Sequence, residues 1–219
     1  MKPFRHWIFD DWCEPLSPPP PPADPRWEAR YCNDAERLKR TTRDLAAIPG
    51  APPLFDRLRH SAHDWSPILG YQVIDDPTMH GGGIHVTEPG GWLGTHLDYA
   101  RHPRLPELRR ALNLIAFVHP EWRPGWGGEL ELCDPMGSPV VRIEPRPGRL
   151  VAFEVSDLSY HGVAPTSPSA AERVSLAVYY LTEATAADTR MRAMFLPSRS
   201  SLEAPIQKNE AGGIQSTGL

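Results

Sequence analysis

Hydrophobic and polar positions follow a helical spacing in the first third of the chain. In residues 33–48, Asn33 is suited to be an N-cap, leucines and an isoleucine recur near helical intervals, and Pro49-Gly50 would end the helix. A second predicted helix has its apolar residues on one face, namely Leu54, Phe55, Leu58, Ala62 and Trp65. Before them, the aromatic-rich residues 4–12 predict a short strand. We expect the two helices to support a sheet.

After Gly81-Gly82-Gly83 the pattern changes to short apolar stretches separated by glycine and proline. Eight such stretches predict strands, at residues 84–88, 92–99, 112–118, 128–133, 140–143, 149–155, 160–164 and 174–182. This spacing favours an antiparallel sandwich or barrel over alternating β/α units. Between the first two stretches, Pro89-Gly90-Gly91 predicts a turn.

The chain length predicts a single domain in three parts. With 219 residues, of which 40% are hydrophobic, the chain can bury one sizeable core. We place the first strand, a polyproline segment and the helices in residues 1–66, the β-rich core in 67–183, and a partly disordered tail in 184–219. The polyproline segment, residues 17–22, is expected to be a spacer rather than a ligand for a partner with an aromatic groove. In the tail, residues 194–197 are expected to dock on the core rather than form a lid, and residues 208–219 to be disordered.

Charge and composition argue against several classes of function. The net charge of -4, from 23 basic and 27 acidic residues, provides no positive surface of the kind that nucleic-acid binding requires. The N-terminus lacks the apolar stretch of a signal peptide and no later run is long enough to span a bilayer, so we expect a soluble, cytoplasmic protein with no membrane partner. The three cysteines, at positions 13, 32 and 133, are far apart and predict neither a disulfide framework nor a zinc knuckle.

The first chemical signal lies in residues 92–99. Side chains two residues apart on a strand project from one face, so His96 and Asp98 would present an imidazole nitrogen and a carboxylate to one point. His161 can supply a third ligand from a strand late in the core. Two imidazoles and one carboxylate leave half of an octahedron open, which suits Fe(II) that must bind an organic chelate and dioxygen together. Zinc prefers a tetrahedral site and needs no such vacancy.

A second set of residues could bind an anionic cosubstrate beside that metal. Arg173 and Ser175 share one face of a predicted strand, and a guanidinium can clamp a carboxylate through two hydrogen bonds. This pair would hold the far carboxylate of a dicarboxylate whose other end chelates the metal. Asn113 lies inside another strand; if it points inward it needs a partner, which the cosubstrate or a bound water would provide. His85, on the strand before the first motif, is expected to line the cavity or to pack.

Five motifs recur in a familiar order and spacing: His96-Leu97-Asp98, Gly127-Gly128-Glu129-Leu130, residues 147–153, His161-Gly162-Val163 and Arg173-Val174-Ser175. Together they resemble the 2-oxoglutarate/Fe(II)-dependent dioxygenases, with the prolyl 4-hydroxylase-like branch as the nearest match. The resemblance covers roughly residues 80–183. It departs at two points. Many prolyl hydroxylases have a tyrosine before the H-x-D motif, where this chain has Thr87 or His85, and their anchor is often lysine rather than arginine. The resemblance therefore implies the reaction class but not prolyl specificity.

The resemblance implies a mostly β (α+β) fold, with a double-stranded β-helix (jelly-roll) core, supporting N-terminal helices and the site in the open mouth. It implies that His96, Asp98 and His161 bind Fe(II), and that Arg173, helped by Ser175, anchors 2-oxoglutarate; ascorbate is a candidate reductant. The implied reaction consumes dioxygen, releases succinate and carbon dioxide, and hydroxylates an unactivated C–H bond of an amino-acid-like small molecule or a peptidyl side chain. Related halogenases have a small residue in place of the aspartate, so Asp98 implies hydroxylation.

Two other functions are compatible with parts of the sequence. A cupin-like hydrolase or isomerase with zinc or manganese could use the same triad without Arg173, and a non-catalytic sensor or interaction module could use the polyproline segment and the tail. The remaining histidines are expected to be structural or exposed, at positions 6, 60, 63, 80, 102 and 119. Four arginines are expected to form a solvated face or to attract an acidic substrate: Arg101, Arg104, Arg109 and Arg110. Four aromatic residues are expected to pack rather than to contact substrate: Trp92, Tyr99, Trp122 and Trp126.

Overall fold

The computed structural model describes residues 3–197, and most of its regular structure is β-strand. The strands in this part of the chain are β1 (His6–Phe9), β2 (Ala29–Cys32), β3 (Glu36–Thr42), β4 (Ile74–Asp75), β5 (Gly83–Leu97), β6 (Leu108–Phe117), β7 (Leu130–Cys133), β8 (Pro139–Ile143), β9 (Leu150–Glu154), β10 (His161–Val163), β11 (Arg173–Glu183) and β12 (Met194–Phe195). A short 3-10 turn (Leu45–Ala47) and two helices, α1 (Ala51–Arg59) and α2 (Ala62–Leu69), lie between β3 and β4. Within residues 3–197, neither helix has the length and apolar character to cross a bilayer.

The strands form one antiparallel sheet that folds back on itself. Its order is β1-β9-β6-β11-β5-β10-β7-β8, with β3 and β12 also paired to β5, β2 to β3 and β4 to β11. Strand β5 belongs to two layers, because residues 83–87 pair with β11 whereas residues 93–96 pair with β10. This topology confirms the predicted mostly β fold with a double-stranded β-helix core.

The predicted strands correspond closely to those of the core. The first two predicted strands are parts of β5, and the other six correspond to β6 through β11. The predicted N-terminal strand is β1, which pairs with β9. Strands β2, β3, β4 and β12 were not expected from the hydrophobic pattern.

The prediction of a turn at Pro89-Gly90-Gly91 is wrong, because this segment is a bulge within the continuous strand β5. In the pairing with β3, residues 88–91 have only Leu38 opposite them. Gly91 has no room for a side chain, since a Cβ there would lie 2.8 Å from the backbone oxygen of Arg37. Bulges bend a strand and increase its twist, and here the bend carries β5 from one layer into the other.

The prediction of a helix at residues 33–48 is also wrong, because this segment forms β3 and the 3-10 turn. In β3, the side chain of Arg40 is fully buried and makes ion pairs with Glu88 at 2.9 Å and Glu172 at 2.7 Å. Both carboxylates are remote in sequence. In the sequence, Arg40 looks like part of the polar face of a helix, but in the structure it belongs to a buried ionic cluster. Tertiary contacts override the local helical spacing here.

The second predicted helix is present as two shorter helices, α1 and α2. Between them, the hydroxyl of Tyr180 donates to the carbonyl oxygen of Leu58 and lies 3.2 Å from that of Arg59. A continuous helix would need both oxygens as acceptors for its own amide groups. Tyr180 belongs to β11, so a residue of the sheet binds the free carbonyl oxygen at the end of α1.

Strands β6 and β11 separate two hydrophobic regions. On one face, their side chains pack beneath α1 and α2 in the main core, which includes Leu112, Leu114, Val174, Leu176 and Tyr180. On the other face, Phe117 packs with Leu130 of β7 and Phe153 of β9 between the two layers. Side chains alternate along a strand, so Arg173 and Ser175 of β11 point away from the helices and into the space between the layers.

His119 follows β6 and is a buried structural histidine, with 1% of its surface exposed. The amide of Val174 donates to its Nδ1 at 3.2 Å, and its Nε2 lies 2.6 Å from the carbonyl oxygen of Pro145. A neutral ring with the proton on Nε2 satisfies both contacts. Burial lowers the pKa of His119 from 6.5 to about 4, so the folded protein keeps this ring neutral in mild acid.

We therefore expect the free energy of unfolding to fall as the pH drops from 6.5 toward 4. The folded-state pKa of His119 is depressed, so in this window the unfolded chain binds a proton that the folded chain does not. The loss is about 1.4 kcal/mol per pH unit for one such group. Urea unfolding across this window should show a shallower pH dependence in His119→Gln, which keeps a donor and an acceptor but does not titrate. An identical pH dependence in the variant would contradict this assignment.

Candidate active site

His96, Asp98 and His161 meet between the two layers. His96 lies near the end of β5, Asp98 follows that strand directly, and His161 begins β10 opposite His96. One ligand atom from each residue can be chosen so that all lie within 4.8 Å of one another. The Nε2 atoms of His96 and His161 lie 3.8 and 3.9 Å from the two carboxylate oxygens of Asp98. All three side chains are buried.

Backbone contacts hold both imidazoles in the orientation that a metal requires. Nδ1 of His96 lies 2.9 Å from the carbonyl oxygen of Gly94, and Nδ1 of His161 lies 2.9 Å from that of Ser159. A proton on each Nδ1 makes these hydrogen bonds and leaves the Nε2 lone pair free. Burial, followed by repulsion from His161, lowers the pKa of His96 to about 3, so its ring is neutral at physiological pH.

Asp98 provides the negative charge of the cluster. Burial alone would raise its pKa, but the neighbouring positive charges, first of all Arg110, outweigh this effect and lower it. Its Oδ2 atom is buried without a hydrogen-bond partner among the described residues. A buried carboxylate oxygen without a partner is unfavourable, and a cation would satisfy it. Two neutral imidazole nitrogens with one carboxylate oxygen fit Fe(II) with open positions.

In the described part of the chain, Arg173 is a buried cation without a counter-ion. Its side chain donates from Nε to the carbonyl oxygen of Gly128 at 2.8 Å, and its guanidinium carbon lies 4.7 Å from the centre of the Phe117 ring. Within residues 3–197, no carboxylate lies at ion-pair distance from it. Burial lowers the pKa of Arg173 to about 9, and the more distant Glu129 offsets this only in part. An unpaired buried charge is costly, so this position is suited to receive an anion.

The other residues predicted to bind the cosubstrate lie in the same cavity. Ser175 follows Arg173 on the same face of β11, and His85 of β5 lies opposite Ser175 in the strand register. Asn113 of β6 points inward, and its Oδ1 atom is buried without a partner among the described residues. Burial lowers the pKa of His85 to about 3. The cavity therefore combines the triad with the cation of Arg173 and three neutral polar groups.

The cavity has a volume of about 240 Å³, and its lining includes further residues for which the sequence predicted no role in the site. Glu36 and Lys39 reach it from β3 and form an ion pair at 2.6 Å, each with 15% of its side chain exposed. Phe195 of β12 lies opposite His96 at the edge of β5, and its ring stacks on that imidazole with the centroids 4.9 Å apart. The segment at 194–197 thus docks on the core at the site itself. The prediction for residues 208–219 concerns residues outside the described range.

The prediction that Arg110 belongs to a solvated face is wrong. Its side chain is 3% exposed, and NH1 lies 3.0 Å from Oδ1 of Asp98. The neighbouring Arg109 follows the prediction better, with 24% of its side chain exposed near Asp188. Four arginines within ten residues have the pattern of a charged surface. The burial of Arg110 could not be read from this pattern, because the residues that cover it come from other strands.

Among the histidines expected to be structural, His102 is fully buried. Its Nε2 lies 3.1 Å from Oδ2 of Asp76, while the amides of Arg104 and Leu105 donate to its Nδ1. Tyr99, expected to pack, also lines the cavity and donates to the carbonyl oxygen of His80. These contacts fix the loop on which His80 lies.

Comparison with known proteins agrees with this arrangement. The 2OG-Fe(II) oxygenase superfamily profile matches residues 82–181. Among curated protein sequences, none matches this chain significantly. A Trichoplax adhaerens prolyl hydroxylase, solved with a hypoxia inducible factor peptide fragment, aligns with 14% identity over 80% of this chain and 82% of that one, with a TM-score of 0.52. This likeness shows the fold.

Two further solved structures align over shorter parts. A Pseudomonas putida prolyl-4-hydroxylase has 27% identity over 50% of this chain and a TM-score of 0.36. The collagen prolyl hydroxylase of Paramecium Bursaria Chlorella virus-1, a complex with 2-oxoglutarate, has 18% identity over 61% of this chain and 75% of that one, with a TM-score of 0.45. The aligned region spans half the length of the Pseudomonas protein.

Residues 82–181, a little under half of the chain, are similar to the 2OG-Fe(II) oxygenase superfamily. Fe(II) is the metal of this family, and 2-oxoglutarate and dioxygen are its cosubstrates. Strands β3 and β12, which complete the cavity, lie outside the matched residues.

Proposed function

We propose that the protein is a 2-oxoglutarate- and Fe(II)-dependent dioxygenase that hydroxylates an unactivated C–H bond of an amino-acid-like small molecule or a peptidyl side chain, with release of succinate and carbon dioxide. The observation that carries the proposal is the coexistence, in one cavity, of the triad and a buried arginine that has no ion-pair partner within residues 3–197. A cupin-like metal hydrolase would have no use for the cation of Arg173, which is costly to bury without an anion.

Each residue has a defined part in this proposal. His96, Asp98 and His161 hold Fe(II), which supplies the activation of dioxygen when it is bound. Arg173 binds the far carboxylate of 2-oxoglutarate, Ser175 and Asn113 add hydrogen bonds, and His85 stays neutral beside them. The sheet layers exclude water, which strengthens these polar contacts. Ascorbate is the proposed reductant that keeps the iron ferrous.

The part of the cavity formed by β3 supports an amino-acid-like substrate. Glu36 and Lys39 place a carboxylate beside an ammonium, and Phe195 adds an apolar surface. Lys39 lines the same cavity as the three triad residues, so its ammonium lies in the site. A free amino acid carries the complementary pair of charges. The prolyl hydroxylases among the structural neighbours include one solved with a peptide, which keeps a peptidyl substrate as the alternative.

The proposal also includes the location of the protein and the division of its chain. We propose a cytoplasmic location, for which the wide separation of the three cysteines along the sequence is a supporting feature. We also keep the division into residues 1–66, 67–183 and 184–219, with the addition that both flanking parts contribute residues to the cavity.

The reaction class is tested by following the conversion of 2-oxoglutarate to succinate with Fe(II), ascorbate and a panel of amino acids. We expect turnover in the wild type and none in His96→Ala, together with the visible absorption band of an iron–2-oxoglutarate chelate under anaerobic conditions. Activity with zinc or manganese but not with Fe(II) would instead support the hydrolase or isomerase alternative.

Lys39→Met tests the substrate class. We expect the KM for the preferred amino acid to rise about 10- to 100-fold, as loss of a hydrogen bond to a charged group costs about 1.5–3 kcal/mol. Slow 2-oxoglutarate consumption without substrate should remain unchanged, because the proposed contacts to the cosubstrate come from Arg173, Ser175 and Asn113. Arg37→Met is the matched control, since Arg37 is an exposed cation on the same strand. If N-acetylated amino acid amides react as well as free amino acids, a peptidyl substrate is favoured.

A further inference from the structure

We infer that Arg110 is a positioning residue, which holds one carboxylate oxygen of Asp98 so that only the other remains free to bind the metal. The inference rests on the proposed function, because it concerns how the metal site is prepared. It adds a residue that lies outside the five motifs.

The contacts of Arg110 define this position. NH1 lies 3.0 Å from Oδ1 of Asp98, and NH2 donates to the carbonyl oxygen of His80 at 2.7 Å. The guanidinium carbon lies 3.6 Å from the centre of the Tyr99 ring and 3.3 Å from that of Tyr179. The group is therefore held between two aromatic rings and by a backbone oxygen, and has little freedom to leave Asp98.

The two oxygens of Asp98 have different surroundings as a result. Oδ1 faces the Arg110 cation, while Oδ2 is buried with no hydrogen-bond partner in the described part of the chain. A rigid planar guanidinium restrains a carboxylate more closely than a flexible ammonium does. Asp98 is thus prepared to bind through Oδ2 alone.

Binding through a single oxygen matters for the proposed reaction. Three ligand atoms from the protein leave three positions of an octahedron open. If Fe(II) binds in this geometry, a chelating 2-oxoglutarate would fill two of these positions, which would leave one for dioxygen. A carboxylate that bound through both oxygens would occupy that last position. By restraining Oδ1 of Asp98, Arg110 would therefore keep that coordination position open for dioxygen.

The test compares anaerobic Fe(II) binding by the wild type, Arg110→Met and Arg110→Lys. Loss of an outer partner of a metal ligand typically weakens metal binding about 10- to 100-fold. We expect the Kd for Fe(II) to rise by that factor in Arg110→Met, and to be partly restored in Arg110→Lys, which keeps the charge and one donor. At saturating iron, the absorption band of the 2-oxoglutarate chelate should shift in Arg110→Met, because the second oxygen of Asp98 is released.

Arg109→Met is the matched control, because it removes the same charge from the adjacent position without touching Asp98; its Kd should equal that of the wild type. Circular dichroism verifies the folding of each variant, and Arg110→Gln replaces Arg110→Met if the latter does not fold. Unchanged iron binding and an unchanged band in a folded Arg110 variant would overturn the inference and leave Arg110 as a packing residue. Failure of the wild type itself to bind Fe(II) would overturn the proposed function as well, so the two failures are distinguishable.

Discussion

Arg173→Met is expected to stabilise the ligand-free protein while it abolishes 2-oxoglutarate binding. Arg173 is buried, its one hydrogen bond in the described structure goes to a backbone oxygen, and burial depresses its pKa to about 9. Replacing buried charges with apolar side chains of similar volume often stabilises proteins by roughly 1–4 kcal/mol. We expect a gain in unfolding free energy toward the lower end of this range, because the bond to Gly128 is lost.

The same substitution removes the partner of the cosubstrate's far carboxylate. Truncating one member of a buried charge pair costs roughly 2–5 kcal/mol in binding, which corresponds to a rise in the Kd for 2-oxoglutarate of about 30- to 4,000-fold. Titration of the metal-loaded protein with 2-oxoglutarate and urea unfolding of the metal-free protein measure the two effects.

Arg40→Met is the matched control for stability, because Arg40 is also fully buried but has two ion-pair partners, Glu88 and Glu172. We expect this variant to lose unfolding free energy, toward the lower end of about 3–5 kcal/mol, since it removes the counter-ion of Glu172 and leaves Glu88 paired only with the exposed Arg30. If Arg173→Met destabilised the protein as Arg40→Met does, Arg173 would have a structural partner and would not be a vacant anion site.

The second large effect is expected for Asp98→Ala, which should eliminate Fe(II) binding and destabilise the metal-free protein. The triad loses its carboxylate ligand, so the loss of Fe(II) affinity should exceed the roughly 10- to 100-fold that follows removal of an outer partner. The substitution also leaves Arg110 buried without its carboxylate, which costs about 3–5 kcal/mol. Iron titration and urea unfolding again measure the two effects separately.

The double variant Asp98→Ala/Arg110→Met separates the two roles of this ion pair. It should recover much of the lost stability, because neither charge remains buried alone, but should not recover iron binding. Additive destabilisation in the double variant would contradict the close coupling of Asp98 and Arg110, since coupled neighbours deviate from additivity.

The central residues of the site could be predicted because their spacing has a direct geometric meaning. His96 and Asp98 lie two residues apart at the end of one strand, and Arg173 and Ser175 lie two apart on another, so each pair faces the same way. His161 was identified by the motif around it, and in the fold it lies opposite His96 on a neighbouring strand. Local periodicity was sufficient for the two pairs, whereas His161 required the motif.

Arg110, Lys39 and Phe195 could not be predicted in the same way, because long-range pairing gives them their surroundings. Arg110 is covered by Tyr99, which follows β5, and by Tyr179 of β11. Its neighbours in the sequence do not indicate that it is buried. Lys39 lies on a strand whose spacing resembled a helix, and that strand exists because it pairs with β5. Phe195 returns to β5 from the tail. The hydrophobic pattern records which side chains avoid water but not which strand edges they join.

The pairing of β3 and β12 with β5 has a practical consequence for protein engineering. A fragment cut to residues 82–181 would keep the triad and Arg173, but would lack the cavity residues Lys39 and Phe195. It would also bare the edge of β5 that β3 covers, and an uncovered strand edge favours aggregation. Such a fragment would be a poor source of the isolated enzyme even though it contains every recognisable motif. Expression boundaries should therefore enclose at least β3 through β12, and any fusion partner should be kept away from Phe195.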